Sequence, residues 1–463
     1  MSNVAFIKSS SKPVERRESV VPGTFFVQTW GCQMNEEDSE QIALYLQDIG
    51  LKPIQSVRDA QVVILNTCSV RSKPEQKAFS FLGWLRPRET NQRKQVIGVA
   101  GCMAQIRADE IRRRNPHVDF VVGTAQIKQI PGLVQDALQT RRFQTRLELP
   151  PRKGAVVTDI PQRYLGRSGK LKAHVPIQYG CDKFCTFCIV PSTRGRERSR
   201  PTEHIVQEIR RLAELGTKEV TLLGQTVNSY GKNLAEGRVP FSKLLQLVAG
   251  VPGIERIRYT SPYPRDFKTD LIEVIRDVPE VMEHCHMPLQ AGNNDLLKRM
   301  KRLYTVESFL DIVDELRSTV PHIGLTTDII VGFPGETEEE FEGTLDMMRK
   351  IRFDGAYMFR YSPRPGTPAA DMEQVPAEAS RARLQKLIEV QNAIGGERNR
   401  ELVGRELKVL VEGRSRKNPE MLQGYTPCFR MAHFKGDAQK LKGETVPVRV
   451  VDGHRWGVSA EVV

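Results

Sequence analysis

Three cysteines fall within eight residues, Cys181-Asp-Lys-Phe-Cys185-Thr-Phe-Cys188, and thiols at that spacing bind metal. Thiolates are soft ligands suited to zinc, copper or iron–sulfur clusters. A structural zinc site takes four protein ligands, and no fourth Cys or His stands at finger spacing here. Four cysteines ordinarily hold a [4Fe–4S] cluster. Three leave one iron open, and an open iron can take a substrate or a cofactor. The apolar run His174-Val-Pro-Ile-Gln-Tyr179 and a single Gly180 come just before the first thiol, so the loop follows a strand. Core cysteines do not crowd like this by chance, because five intervening residues are too few to separate three of them in ordinary packing.

Three further cysteines each stand just past a strand-like run. Thr24–Trp30 leads to Cys32, Gln61–Thr67 to Cys68 and Gln95–Gly101 to Cys102. Val118–Val122 reads as another strand, and helical periodicity fills Ser39–Ile49 and 127–138. Continuous apolar strands separated by helices imply a parallel sheet covered on both faces. In such a sheet the carboxyl ends of the strands form the binding crevice. Spacings of 36 and 34 residues, about one βα unit each, would therefore gather three distant thiols. This is a second three-cysteine iron–sulfur site. Cys285 and Cys428 have no partners at ligand spacing and read as structural thiols; His284 and His286, which flank Cys285, are not assigned to a metal.

A chain of 463 residues is long enough for about three domains. No run approaches the ~20 apolar residues of a membrane span. Residues 1–22 are polar, with mixed charge and no apolar centre, so they read as a disordered leader rather than a secretory signal. The chain is therefore expected in the cytoplasm, where eight cysteines point to metal or redox chemistry and not to a disulfide framework. A net charge of +13 and a pI near 9.4 favour a polyanionic partner. After an α/β domain over 23–149, the Pro- and Gly-rich stretch 150–170 reads as a linker. Residues 171–400 resume βα alternation, with strands expected at 173–179, 218–223, 255–260, 284–289, 323–332 and 355–361, a partial barrel of six units. Its active site belongs at the carboxyl ends of the strands, where the Cys181 loop already lies. Residues 401–463 alternate in short strands broken by Gly, Asp and Pro, which predicts a small antiparallel barrel.

Four other constellations could touch ligands. Gly224, Gln225 and Asn228 follow the second barrel strand, and Gly332 with Pro334 and Gly335 follows the fifth. Glycine permits close backbone approach there, and the amides could hold the polar amino-acid end of a cofactor. Arg194, Arg196, Arg198 and Arg200 come directly after the cysteine loop and suit phosphate contacts. The last 63 residues carry 11 Lys and Arg against 8 Asp and Glu. Among these, Arg414, Arg416, Lys417, Arg430 and Lys435 lie near Tyr425, Phe429 and Phe434, the mixture of cations and rings found in RNA modules.

The Cys181-x3-Cys185-x2-Cys188 spacing, with Phe187 before the last thiol, resembles the signature of radical S-adenosylmethionine enzymes. There the open iron chelates the methionine part of the cofactor and cleaves it reductively to a 5′-deoxyadenosyl radical. From residue 23 onward the chain resembles the methylthiotransferases of that superfamily, whose C-terminal barrel is similar to the RNA-binding TRAM domain. Thr29-Trp-Gly-Cys-Gln-Met-Asn35, Cys188-Ile-Val-Pro-Ser-Thr-Arg194, Leu223-Gly-Gln-Thr-Val-Asn-Ser-Tyr230 and Tyr361-Ser-Pro-Arg-Pro-Gly-Thr367 look most like the branch that acts on an isopentenylated adenosine of tRNA. Gln290-Ala-Gly-Asn-Asn294 departs from the expected Gln-Ser-Gly-Ser but keeps a small residue. Branches acting on threonylcarbamoyl-adenosine in tRNA, or on an aspartate of a ribosomal protein, share the layout.

The resemblance implies an α/β chain with two [4Fe–4S] clusters. One would sit on Cys181, Cys185 and Cys188, and an auxiliary one, tied to the inserted sulfur, on Cys32, Cys68 and Cys102. It implies two uses of S-adenosylmethionine: one molecule methylates cluster-bound sulfur, and another yields the radical that takes hydrogen from carbon 2 of the adenine at position 37. The methylthio group then joins that carbon. An unactivated aryl C–H has no acid–base route, so the cofactor carries the hard step. The partners implied are tRNA and an electron donor such as a flavodoxin or ferredoxin, and the protein would be a monomer away from membranes.

Overall fold

A computed structural model describes residues 21–69, 72–87, 95–150, 169–234 and 237–463. The leader expected over 1–22 lies outside these except for Val21 and Pro22, which begin the first strand. The linker expected over 150–170 has only Pro150, Gly169 and Lys170 inside them. The chain forms two compact units. Among the described residues the first holds those up to Pro150 with Gln178–Lys183 and Cys188–Arg198; the second holds Gly169–Ile177, Phe184–Phe187 and the described residues from Ser199 on.

The first unit is built on a six-stranded sheet of β1 (Val21–Trp30), β2 (Lys52–Pro53), β3 (Ala60–Thr67), β4 (Val96–Ala100), β5 (Phe120–Val122) and β6 (Gln144–Arg146). Its order is β2-β1-β3-β4-β5-β6 and every pairing is parallel. Two-residue periodicity sends Val63, Leu65, Ile97, Val99 and Val121 to one apolar cluster and Val62, Ile64, Val96, Phe120 and Val122 to the other. This is why the central strands read as unbroken apolar runs. β2 and β6 are short edge strands with no continuous apolar signal, and sequence periodicity misses both. Helices α1 (Gln33–Asp48), α2 (Ser72–Trp84), α3 (Cys102–Arg114) and α4 (Ile130–Thr140) provide the crossovers. The strand order reverses beside β1, placing the switch point at the carboxyl ends of β1 and β3.

The second unit opens with six parallel strands in two sets of three. Lys172–Pro176, Glu219–Leu223 and Arg256–Tyr259 form one set; His284–His286, Gly324–Val331 and Gly355–Arg360 form the other. A parallel bridge between Ile257 and Val281 joins them into the partial barrel that the βα count predicts. Between the strands run α6 (Thr202–Glu214), α7 (Phe241–Ala249), α8 (Thr269–Asp277), α9 (Asn294–Arg299), α10 (Val306–Thr319) and α11 (Glu338–Ile351); α5 (Val190–Arg194) belongs to the first unit. Thr337 and Glu340 form the capping box expected at the start of α11. Phe309 is fully buried against Tyr304 and Phe353, with ring centroids 6.1 and 6.3 Å away. Phe309→Ala should cost about 3–5 kcal/mol, read as a lower urea midpoint, because the rigid walls cannot collapse into the space.

The sixth strand leads into α12 (Ala377–Arg400), which the sequence reading leaves without an element. It then enters a closed five-stranded barrel of Glu406–Arg414, Leu422–Tyr425, Met431–Phe434, Gly457–Val462 and Thr445–His454, in that spatial order. The expected all-antiparallel barrel is corrected at one seam, where Met431–Phe434 and Gly457–Val462 run parallel. An odd number of strands cannot close with every neighbour antiparallel.

The barrel is pinned to the amino ends of the partial-barrel strands. Arg256 donates to the carbonyls of Tyr425 (2.5 Å) and Lys408 (2.9 Å), and Arg258 to those of Thr426 (2.8 Å) and Pro427 (3.2 Å). Arg258 also meets the buried Glu219 at 3.2 Å. Burial would raise the Glu219 carboxyl, but Arg258, Lys172 and Arg256 outweigh it and hold it below its ordinary value. His284 stacks on Phe429 at 4.4 Å, and Phe429 on Tyr425 at 4.6 Å. Burial first, then Arg258, His286 and Arg430, keep the His284 imidazole well below its ordinary 6.5. The unfolded chain therefore takes up this proton before the folded one. His284 adds its full stability above pH 6.5, and the contribution is lost as pH falls below that value, by up to about 1.4 kcal/mol per pH unit. Urea midpoints at pH 7.5 and 5.5 should show this slope, and His284→Gln should flatten it.

Among the described residues no helix is long and apolar enough to cross a membrane.

Candidate metal centres

Cys32, Cys68 and Cys102 follow β1, β3 and β4, which are consecutive neighbours in the sheet. The Cys68 amide donates to the Trp30 carbonyl at 2.9 Å, tying one strand end to the next. Cys32 caps α1 and Cys102 is the first residue of α3, so both thiols sit where a helix presents its positive end. Asn35 and Asn66 fasten α1 to β3: the Asn66 amide donates to the Asn35 carbonyl at 2.8 Å and to Ser39 Oγ at 2.9 Å. The Cys32 thiol is lowered to about 6, chiefly by a hydrogen bond from Cys68, with Arg194 assisting against burial. Burial raises the Cys102 thiol, and Arg194 opposes it. Arg194 pairs with Asp38 at 2.9 Å, and both side chains are about 5% exposed or less. Burial works against its charge, but Asp38, Cys102 and Cys32 outweigh it and hold the guanidinium above its ordinary range.

The cysteine loop has its own supports. Gly180 has φ +75°, and a Cβ there would stand 2.0 Å from the Arg196 carbonyl oxygen, so only glycine admits the backbone of Arg196 at that distance. The Cys181 amide donates to the Gly195 carbonyl at 3.1 Å, and the Lys183 amide reaches Cys181 Sγ at 3.4 Å. Cys181 and Cys188 belong to the first unit and Cys185 to the second. Around Cys185, the Thr186 amide donates to the Met300 carbonyl (3.1 Å), its hydroxyl to the Arg299 carbonyl (2.9 Å), and the Ala369 amide to the Thr186 carbonyl (3.0 Å). Arg302 Nη1 donates to Cys185 Sγ at 3.4 Å. All eight cysteines are free thiols. Among the described residues no three His, Cys, Asp or Glu side chains converge on the position of a single metal ion. The donor set is soft sulfur, helix ends and N–H groups aimed at sulfur, and this chemistry fits an iron–sulfur cluster.

The cofactor candidates divide. Gly224 is buried at the end of the second barrel strand, beside Gln225. Gln225 Oε1 is buried without a hydrogen-bond partner, as is Gln290 Oε1 after the fourth strand. Such orphaned acceptors cost about 1–3 kcal/mol each unless a ligand donates to them. Asn228 instead accepts from the Tyr263 amide at 2.7 Å and donates to its carbonyl at 2.9 Å, a clamp on the loop after the third strand. Gly332 has φ +70° and lies against Ser380 of α12, where a Cβ would come within 2.5 Å of the serine Cβ.

Residues 24–123 match an uncharacterised protein family, UPF0004; residues 175–348 match the Radical SAM superfamily; and residues 400–463 match the TRAM domain. A tRNA-2-methylthio-N(6)-dimethylallyladenosine synthase of Moorella thermoacetica is 45% identical over 443 residues, 95% of this chain and 98% of that one. The chain belongs to that synthase family. The synthase of Natranaerobius thermophilus is 43% identical over 441 residues, covering 95% of this chain and 96% of its own. The solved radical S-adenosylmethionine methyltransferase TsrM of Kitasatospora setae, with cobalamin and a [4Fe–4S] cluster bound, superposes at TM-score 0.55 with 14% identity, over 75% of this chain and 73% of that one. At that identity the likeness is one of fold.

For this synthase-family chain the structure redraws the polyanion-binding candidates. Arg194 and Arg198 are buried, and Arg200 is buried on Glu208 at 2.7 Å. Arg196, the least buried of the run, meets Asp182 at 3.3 Å. The run that reads as a phosphate-facing patch is mostly internal, because each buried guanidinium finds a carboxylate, a carbonyl or a ring. Tyr425, Phe429 and Arg430 likewise serve docking, Arg430 being paired with Asp354. Arg414, Arg416 and Lys417 are exposed in and after the first strand of the closed barrel. Sequence reasoning misses Asp38 and Arg302, which lie outside any spacing pattern.

Proposed function

We propose that this chain is a radical methylthiotransferase converting N6-isopentenyladenosine at position 37 of tRNA to its 2-methylthio derivative. It would use two [4Fe–4S] clusters and two molecules of S-adenosylmethionine. The reading is carried by two separate three-cysteine sets in one chain that is alike to its relatives over nearly its whole length. Cys181, Cys185 and Cys188 would hold the radical cluster and Cys32, Cys68 and Cys102 the auxiliary one. With its cofactor bound, the radical cluster supplies chemistry able to open an unactivated aryl C–H, which no side chain offers.

The chain's own residues hold and shield the groups. Gln225 and Gln290 present buried acceptors to the cofactor's donors, Arg194 offsets the negative charge of the auxiliary thiolates, and Arg414, Arg416 and Lys417 meet the RNA backbone. An electron donor such as a flavodoxin or ferredoxin completes the reaction, and the protein acts as a monomer in the cytoplasm.

Mass spectrometry of tRNA nucleosides from a deletion strain tests this reading. The 2-methylthio nucleoside should vanish and isopentenyladenosine accumulate, with recovery when the gene is restored. Unchanged nucleosides together with a ribosomal peptide lighter by a methylthio group would sink it.

A further inference from the structure

Arg302 lies in the loop between α9 and α10, and all three of its guanidinium nitrogens are committed. Nη1 donates to Cys185 Sγ at 3.4 Å, Nε to Tyr304 Oη at 2.9 Å and Nη2 to the Pro288 carbonyl at 3.4 Å. Its Cζ lies over both rings, 4.7 Å from the centre of Tyr263 and 5.0 Å from that of Tyr304. Those rings are themselves held. The Tyr304 hydroxyl lies 2.8 Å from the Leu289 carbonyl and 3.0 Å from that of Pro288, and the Tyr263 hydroxyl accepts from the Leu303 amide at 3.0 Å. The Asn228 clamp fixes the Tyr263 backbone. The groups that touch its guanidinium are Tyr304, Cys185, Tyr263 and the Pro288 carbonyl. Of these, only the cysteine sulfur becomes an anion when it serves as a ligand, so the counter-charge this arginine faces is a thiolate.

We infer that Arg302 is a positioning residue for the radical cluster, orienting the Cys185 thiolate and setting the reduction potential of the cluster that this thiolate holds. The inference rests on Cys185 being a cluster ligand. A cation and an N–H···S bond draw electron density from the sulfur and stabilise the more negative, reduced cluster more than the oxidised one. Arginine suits the task because its planar fork can stack on two rings and still direct one N–H at sulfur, which the lysine ammonium cannot.

The test is an EPR-monitored redox titration of the full reconstituted chain carrying Arg302→Gln, with Arg302→Met and Tyr304→Phe alongside. Arg302→Gln should keep its iron and sulfide. At a fixed potential its radical cluster should be about tenfold less reduced, a midpoint about 59 mV lower for one electron. Tyr304→Phe keeps the guanidinium but frees its Nε, and should shift the midpoint in the same direction by less. An unchanged midpoint in Arg302→Gln with full iron content overturns the inference. Should that variant lose its cluster, Tyr304→Phe decides, and a wild-type midpoint there overturns it equally. Cys185→Ala separates the two levels: if iron content is unaffected, the ligand reading itself fails.

Discussion

A Cys185→Ala chain is expected to bind half the iron and sulfide of wild type and to form no 2-methylthio nucleoside, a loss of about 10⁶-fold or more. The size of the effect follows from the chemistry. Two thiols cannot hold in place a cluster that three thiols hold with one iron open, and no nearby side chain can replace radical chemistry at an aryl C–H. The auxiliary set should survive, because Cys32, Cys68 and Cys102 stand on a sheet of their own in the first unit. Iron and sulfide analysis with nucleoside mass spectrometry reads both outcomes. Cys285→Ala is the control. That thiol is fully buried and pushed up to about 12 by burial, so it is inert as a ligand, and its removal should leave iron content unchanged. Full iron in Cys185→Ala, or half iron in Cys285→Ala, would reverse these assignments.

Arg194→Met should destabilise the first unit by about 3–5 kcal/mol, because it strands the Asp38 carboxylate where water cannot reach it. A drop of about 10 °C in the unfolding midpoint is the corresponding signal. Adding Asp38→Asn should restore much of this stability, since a neutral amide in place of the carboxylate leaves no unpaired charge. It should not restore the auxiliary cluster's properties, because Arg194 also faces Cys32 and Cys102. A single variant that melts like wild type would show that the pair is solvated and carries little energy.

Hydrophobic pattern and residue type made much of the molecule readable in advance. The central strands of the first sheet and all six strands of the partial barrel lie within a few residues of the expected ranges, since apolar runs in a two-sided sheet leave an unmistakable trace. The trace fades where burial is polar. α1 begins at Gln33, six residues ahead of the periodic stretch, because its first turns bury Asn35, Glu37, Asp38, Ser39 and Gln41. These residues read as solvent-facing until Asn66 is seen to satisfy Asn35 and Ser39, and Arg194 to satisfy Asp38. α12 escapes notice for a related reason. Its contacts with Glu336, Phe353 and His454 use Arg383, Gln391 and Asn399, so no single apolar stripe marks its face.

By itself the sequence determined the two thiol sets, the strands that end at them and the kind of chemistry such ligands support, since these depend on residue type and local spacing. Only the tertiary structure decided which charges face water. Arg194, Arg198, Arg200 and Arg430 look in the sequence like groups awaiting phosphate, yet they are internal. Arg302 carries no mark in the sequence, yet it reaches the sulfur of Cys185. A guanidinium is satisfied by whatever carboxylate, carbonyl, ring or sulfur the fold brings to it. Its partners come from distant parts of the chain, and that pairing is a property of three dimensions.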